Sequence, residues 1–305
     1  MTADDRVAGG LVGLLVGDAL GVPYEFHDPR NLPPPEQIEL EPPPDFRRSH
    51  RGVPPGTWSD DGAQALALLD SLLGRPPRPR RPRAALPRLV APGRLRRGRA
   101  TLRHRQPDLR RAAPPRAGRP RLAAGGTGER DNGNGSLMRV LPLALWHRGD
   151  DAALVRDAHA QSRITHGHPR SGAACALYCL WARAELAGRT HDDALAQLRR
   201  LYADDPVHAA ELEGIAAPFP ARGTGYVVDC LHSARVALEE PTYERVVRRA
   251  VAFGLDTDTT AAVAGGIAGL RHGLGAIPQR WRDGLRGGTI LEPLLARLRA
   301  HLASE

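Results

Sequence analysis

Residues 9–21, GGLVGLLVGDALG, and residues 256–270, DTDTTAAVAGGIAGL, carry one signature near opposite ends of the chain. Gly9, Gly13, Gly17 and Gly21 recur every four residues and lay a bare stripe along one face of a helix. Ala261, Gly265 and Gly269 repeat the spacing. Glycine weakens a helix, so a stripe of it suits a place where another backbone comes close. Two arrangements are open: the two stripes face each other at short range, or each meets unrelated small-residue partners. Helical periods also run over 64–73, 171–186, 191–202, 227–238, 243–253 and 291–302. No alternating β-branched run bounded by turns stands out, and no repeat of 20–50 residues is visible. The chain therefore reads as all-α. Residues 27–56, rich in proline and polar residues, read as a long loop over a site.

The chain has 305 residues, 41% hydrophobic and 25% charged, enough to bury a sizeable core as one large domain or two. Aromatics make up only 4%, so Leu, Ala and Val must fill that core. The apolar run 7–22 is interrupted by Asp18 and preceded by Arg6, which makes it too short and too polar for a membrane span. No basic leader with a small-residue cleavage site precedes it, so no secretory signal is expected. Cys175, Cys179 and Cys230 are odd in number and lack zinc spacing. A reducing, cytoplasmic location is the expectation.

The net charge of +9 comes from one segment. Residues 75–121 hold 17 arginines, ten prolines and a single acid, Asp108, for a net +16; the rest of the chain is acidic, at −7. The segment has no helical or strand period, and its prolines would break a long helix. Two readings stay open. It is a basic arm for nucleic acid or another polyanion, or it is an out-of-frame passage. The second fits a chain without a single lysine, because shifted GC-rich codons give mostly Arg, Pro, Ala and Gly.

Chemistry concentrates in two acidic clusters, Thr57-Trp58-Ser59-Asp60-Asp61 and Asp256-Thr257-Asp258-Thr259-Thr260, each at the start of a helical run. Either cluster alone is satisfied by capping, since a helix N-terminus favours carboxylates. Both together offer adjacent carboxylates and hydroxyls, hard ligands for Mg²⁺, Mn²⁺ or Ca²⁺. Four carboxylates brought together would repel one another without a cation. A glycine loop, Asn132-Gly133-Asn134-Gly135-Ser136, precedes an apolar segment that looks helical. Its N–H groups could cradle a diphosphate, or it is a simple helix-entry turn.

Six segments stand in one order: GLLVGDALGVPYEF, TWSDDGAQALAL, GNGSLMRVLPLAL, ITHGHPRS, GTGYVVDCLHSA and GLDTDTTAAVAGGIAGL. In these the chain resembles the ADP-ribosylglycohydrolase family, which includes the dinitrogenase-reductase-activating glycohydrolases. The resemblance implies a compact orthogonal all-α bundle, a single domain over residues 1–305, with a binuclear metal site, usually two Mg²⁺ ions and with Mn²⁺ possible. It assigns Ser59, Asp60, Asp61, Asp256, Asp258 and Thr259 as metal ligands. Gly62 stands where the family usually has Thr. Glu25 matches a glutamate that closes over the metals in some members, against the plainer reading of a surface-loop acid. Asp18 also matches and reads as structural. Asn132 to Ser136, His166 and Tyr226 match substrate-binding positions. Arg139 is either an ion-pair partner or a ligand, and His168 reads as helix entry only.

The implied activity is hydrolysis of the N- or O-glycosidic bond between ADP-ribose and an acceptor on a protein or small molecule. Its transition state resembles an oxocarbenium ion. Glu25, Asp60 or Asp61 would take a proton from the attacking water. Two other classes stay open: an impaired or non-enzymatic ADP-ribose-binding homologue, and a polyanion binder acting through the arginine-rich arm. Nucleic acid is expected as a partner only if that arm is real. No membrane partner is expected, and a monomer is.

Overall fold

The computed structural model describes residues 1–74 and 124–304. The arginine-rich stretch, with both of its readings, lies outside the described residues. Among these, twelve α-helices follow in chain order: α1 (Ala3–Gly21), α2 (Asp60–Leu73), α3 (Leu141–Trp146), α4 (Asp151–Ser162), α5 (Pro169–Leu186), α6 (His191–Leu201), α7 (Pro206–Ala216), α8 (Val227–Ala237), α9 (Tyr243–Ala252), α10 (Thr257–His272), α11 (Gln279–Gly284) and α12 (Gly288–Ala303). Strand structure among the described residues is limited to one isolated bridge between Gly126 and His166. The class is all-α, as the periodicity requires.

Local chemistry starts the helices. Thr2 accepts the Asp5 N–H at 3.1 Å to open α1, and Asp150 accepts the Ala153 N–H at 2.7 Å to open α4. Thr190 and Asp193 form a reciprocal capping box on α6. His168 caps α5, its Nδ1 accepting the Arg170 N–H at 3.1 Å, which is the helix-entry role its place before Pro169 suggests.

The chain forms two compact units. The first comprises Met1–Ala63 and Phe219–Leu295. Here α1 lies along α10, with α8 and α9 also packed on α10. A Cβ added at Gly9, Gly13, Gly17 or Gly21 would meet backbone of Gly269, Gly265, Ala261 or Asp258 well inside 3.0 Å. The two small-residue stripes therefore face each other, and main chain touches main chain. Tyr243 on α9 seals the contact by donating its hydroxyl to Gly13 O at 2.8 Å. Ala3–Tyr24 is long and apolar enough to cross a membrane by length and composition, longer than the sequence reading allowed. Its continuous burial from Val7 to Tyr24, not its length, marks it as a core helix.

The second unit contains residues 64–74, 124–218 and 296–304 of the described chain. Its centre is α5, apolar nearly all round, with Leu177, Tyr178 and Trp181 fully buried. Helices α3, α4, α6 and α7 pack on it.

Candidate functional site

The acids of the first unit converge. One carboxylate oxygen each from Asp18, Asp61 and Asp258 lies within 4.8 Å of the others, and the same holds for Glu25, Asp256 and Asp258. All five residues are buried. The close approach of α1 to α10 is what makes this possible, since Gly21 sits against the Asp258 backbone.

Capping does not account for the cluster. The first turn of α2 is capped from another helix: Asp18 on α1 accepts the Ser59 N–H at 2.9 Å and the Gly62 N–H at 2.7 Å. The bare Gly62 suits this, because a Cβ there would meet Asp18 Oδ2 at 3.0 Å. With the cap supplied by Asp18, Asp61 turns inward. Its Oδ2 accepts the Ser59 hydroxyl at 2.9 Å, while its Oδ1 is buried with no hydrogen-bond partner. Asp256 stands at the N-cap position of α10, yet its side chain makes no capping bond. Asp258 Oδ1 accepts the Thr259 N–H at 2.9 Å, and Thr259 itself is buried. Asp60 is half-buried on the same turn as Asp61.

Electrostatics follow from this crowding. Burial pushes the Asp18 carboxyl up to about 7, against the lowering by its two backbone donors. Burial, then the charges of Asp18, Asp60 and Asp256, hold Asp61 well above the usual carboxylate range. Burial, then Glu25, Asp61, Asp256 and Asp18, does the same for Asp258. A cation would reverse each of these penalties. The donor set is all hard oxygen, one buried oxygen has no donor, and the spacing suits a shared ion, so these residues could bind metal ions.

Glu25 is a buried acid rather than a surface-loop one. Its Oε2 lies 2.7 Å from His50 Nε2, and both side chains are almost fully enclosed. Sequence reasoning missed His50, a lone histidine in a basic loop with no motif around it. It also underrated Asp18, whose family match was visible but whose reach to α2 was not.

In the second unit, Asn134–Ser136 forms a single 3₁₀ turn, and the apolar segment after it is helical over Leu141–Trp146. Asn132 Nδ2 donates to Glu129 O at 3.1 Å, and its Oδ1 accepts the Ser171 hydroxyl at 3.0 Å. Gly135 and Ser136 are buried, and the Ser136 hydroxyl accepts from Ser162 Oγ at 3.0 Å. Ser162 Oγ also reaches His166 O at 3.1 Å, so the serine ties the Gly133–Ser136 turn to His166. The His166 ring is held by Thr165, with Oγ1 2.8 Å from Nδ1. Arg139 is structural: its guanidinium donates to Gln64 Oε1, Gly135 O, Gln161 Oε1, Gln161 O and Thr165 Oγ1 at 2.7–3.2 Å. Tyr226, in the first unit, is half-buried at the N-cap of α8, with its ring 5.8 Å from that of Phe219.

A family model described as ADP-ribosylglycohydrolase matches residues 1–305. The ADP-ribosyl-[dinitrogen reductase] glycohydrolase of Rhodospirillum rubrum is 30% identical over 287 residues, covering 91% of this chain and 89% of its own. The ADP-ribosylarginine hydrolase Tri1 of Pseudomonas putida (strain GB-1) is 29% identical over 302 residues, covering 96% of this chain and 78% of its own. A solved structure titled ADP-ribosylglycohydrolase-related protein complex superposes with a TM-score of 0.74 at 31% identity, covering 98% of both chains. The chain belongs to the ADP-ribosylglycohydrolase family. It is a glycosidic-bond hydrolase of that family, and its acidic cluster could bind metal ions.

Proposed function

We propose that this protein releases ADP-ribose from modified arginine side chains of proteins, using two Mg²⁺ ions held by the acidic cluster, with Mn²⁺ as a substitute. The observation that carries the metal reading is the buried, unpartnered Asp61 Oδ1 set among the carboxylates of Asp18 and Asp258. Ser59, Asp60, Asp61, Asp256, Asp258 and Thr259 would hold the ions. When bound, such ions supply positive charge that offsets the carboxylates and acidifies a nearby water. The arginine acceptor is favoured by the names of two relatives, the ADP-ribosylarginine hydrolases Tri1 of Pseudomonas putida (strain GB-1) and Serratia proteamaculans (strain 568).

In this reading the chain's own residues divide the work. Glu25 accepts the proton of the attacking water, with Asp60 and Asp61 as the other carboxylates able to do so. The bond from the anomeric carbon to the guanidine nitrogen breaks, a bond to the water oxygen forms, and the leaving nitrogen takes a proton. Asp18 fixes the turn that carries Asp61, and the Ser59 hydroxyl holds one Asp61 oxygen. Asn132, Gly133, Asn134, Gly135 and Ser136 hold the diphosphate, chiefly through main-chain N–H groups, since the Ser136 hydroxyl is engaged with Ser162. His166 and Tyr226 contact the ribose and the nucleotide. We read residues 1–305 as one domain of a cytoplasmic, monomeric protein without a membrane partner.

The test is chromatographic detection of free ADP-ribose from peptides modified on arginine or on serine, with Mg²⁺ or with chelator. Release from the arginine peptide in Mg²⁺ is expected. Release from the serine peptide alone would overturn the acceptor, and equal release in chelator would overturn the metal.

A further inference from the structure

Three non-glycine residues among those described have left-handed backbone: Phe26 at φ 67°, His50 at φ 51° and Leu255 at φ 58°. All three flank the acidic cluster. Phe26 follows Glu25, Leu255 precedes Asp256, and His50 bonds Glu25. Such conformations are costly for residues with a Cβ and persist where surrounding structure enforces them. The enforcing contacts are present. Phe26 N donates to Leu255 O at 2.6 Å and Leu255 N donates to His27 O at 2.8 Å, which clamps the Glu25 segment to the turn before α10. Ser49 N donates to Pro23 O at 2.8 Å, and the Ser49 hydroxyl donates to Glu25 O, which pins the His50 loop to the same segment. The Phe26 ring packs edge-on against the His50 ring at 5.8 Å.

The result is that an imidazole is carried to a carboxylate 25 residues away in sequence. His50 Nε2 lies 2.7 Å from Glu25 Oε2. The pair stands at hydrogen-bond distance, and an imidazole N–H at Nε2 is a donor that a carboxyl oxygen can accept. We infer that His50 is a positioning residue for hydrolysis: by gripping Oε2 it fixes the rotamer of Glu25, so that the carboxyl faces Asp256 and Asp258 before substrate arrives. This rests on the reading of Glu25 as the proton acceptor. The three left-handed residues lie in the segments that these hydrogen bonds clamp around the pair. General bases act only within hydrogen-bond reach of their proton, so the placing of this carboxyl matters to the reaction.

The test uses the full chain with Mg²⁺ and an arginine-ADP-ribosylated peptide. His50→Asn suits left-handed backbone but falls short of Glu25, so it removes the grip with little cost to the loop. His50→Gln places a nitrogen donor near the Nε2 position. Expected is a fall in kcat of about 10- to 100-fold for His50→Asn, the scale seen when a partner orienting a site residue is lost. KM should stay within about twofold, and His50→Gln should recover most of the loss. In a Glu25→Gln background, adding His50→Asn should change kcat less than about twofold. A crystal structure of His50→Asn should show the Glu25 carboxyl displaced or in several conformers, with Asp256 and Asp258 unmoved. A His50→Asn enzyme of normal kcat, an equal loss in the Glu25→Gln background, or an unmoved Glu25 would each overturn the proposal. If Glu25→Gln alone keeps full turnover, the assignment of Glu25 itself fails, which is a separate result in a variant with His50 intact.

Discussion

At the scale of single residues, the carboxylate of Asp18 does for α2 what Asp60 and Asp61 would otherwise do. It accepts the Ser59 and Gly62 N–H groups from across the helix pair and leaves the local acids for other work. The two roles predict opposite stability effects. Asp18→Ala strands two buried donors and should destabilise by about 1–3 kcal/mol. Asp258→Asn removes a buried charge that its neighbours repel, so in chelator it should raise stability, on the order of 1 kcal/mol, while abolishing Mg²⁺ binding. Denaturant unfolding in chelator and calorimetric Mg²⁺ titration measure the two effects. A destabilised, Mg²⁺-binding Asp258→Asn would return Asp258 to capping. Both acidic clusters were legible as motifs in the sequence. Their convergence was not, because it depends on a backbone contact between helices more than 230 positions apart. His50 was illegible for a different reason: its meaning lies wholly in a tertiary hydrogen bond.

At the scale of elements, the glycine stripes were readable because a four-residue period of missing side chains leaves few other uses. Gly17→Ala would drive a methyl into Ala261 O and should cost about 1–3 kcal/mol. Gly214, exposed on α7 with no atom near its absent Cβ, should behave oppositely, with Gly214→Ala stabilising by about 0.5–1 kcal/mol. Paired thermal melts would show the contrast, and a neutral Gly17→Ala would contradict the backbone contact. Helices α4, α7 and α11 escaped the sequence reading. Helix α11 is short, and α4 and α7 carry only a thin apolar face, with Leu212 and Ile215 the buried residues of α7. The place of α4 and α7 is set by α5 and by polar contacts rather than by their own pattern, and α11 packs on α1.

One such contact predicts a pH effect. His159 on α4 is buried, with Nε2 2.6 Å from Tyr202 Oη and its ring stacked 4.4 Å from that of His208 on α7. Burial, then the charge of His208, pushes the His159 imidazole down to about 3, from an ordinary value of 6.5. The native pKa lies below the unfolded one, so the unfolded chain takes up the proton first. This contribution is intact above pH 6.5 and is lost as pH falls toward 3. Between those values His159→Gln should flatten the rise of stability with pH, by up to about 1.4 kcal/mol per pH unit. An unchanged slope would show that His159 is protonated in the folded protein.

At the scale of the whole molecule, the family match runs from residue 1 to residue 305 although 75–121 is arginine- and proline-rich. Resequencing the gene decides between the two readings of that stretch. Compensating frame changes near the codons for Gly74 and Gly125 are expected, and an intact frame would leave the basic arm in need of a function. In the function proposed above, buried carboxylates drawn together by the α1–α10 contact make a metal-dependent ADP-ribosyl hydrolase. Its most direct measurement is the rate of ADP-ribose release from an arginine-modified protein across a Mg²⁺ titration, for the wild type and for Asp258→Asn. A saturable rise with Mg²⁺ is expected in the wild type, with no release in chelator and none in the variant at any concentration. A rate independent of Mg²⁺, or a variant as active as the wild type, would contradict it.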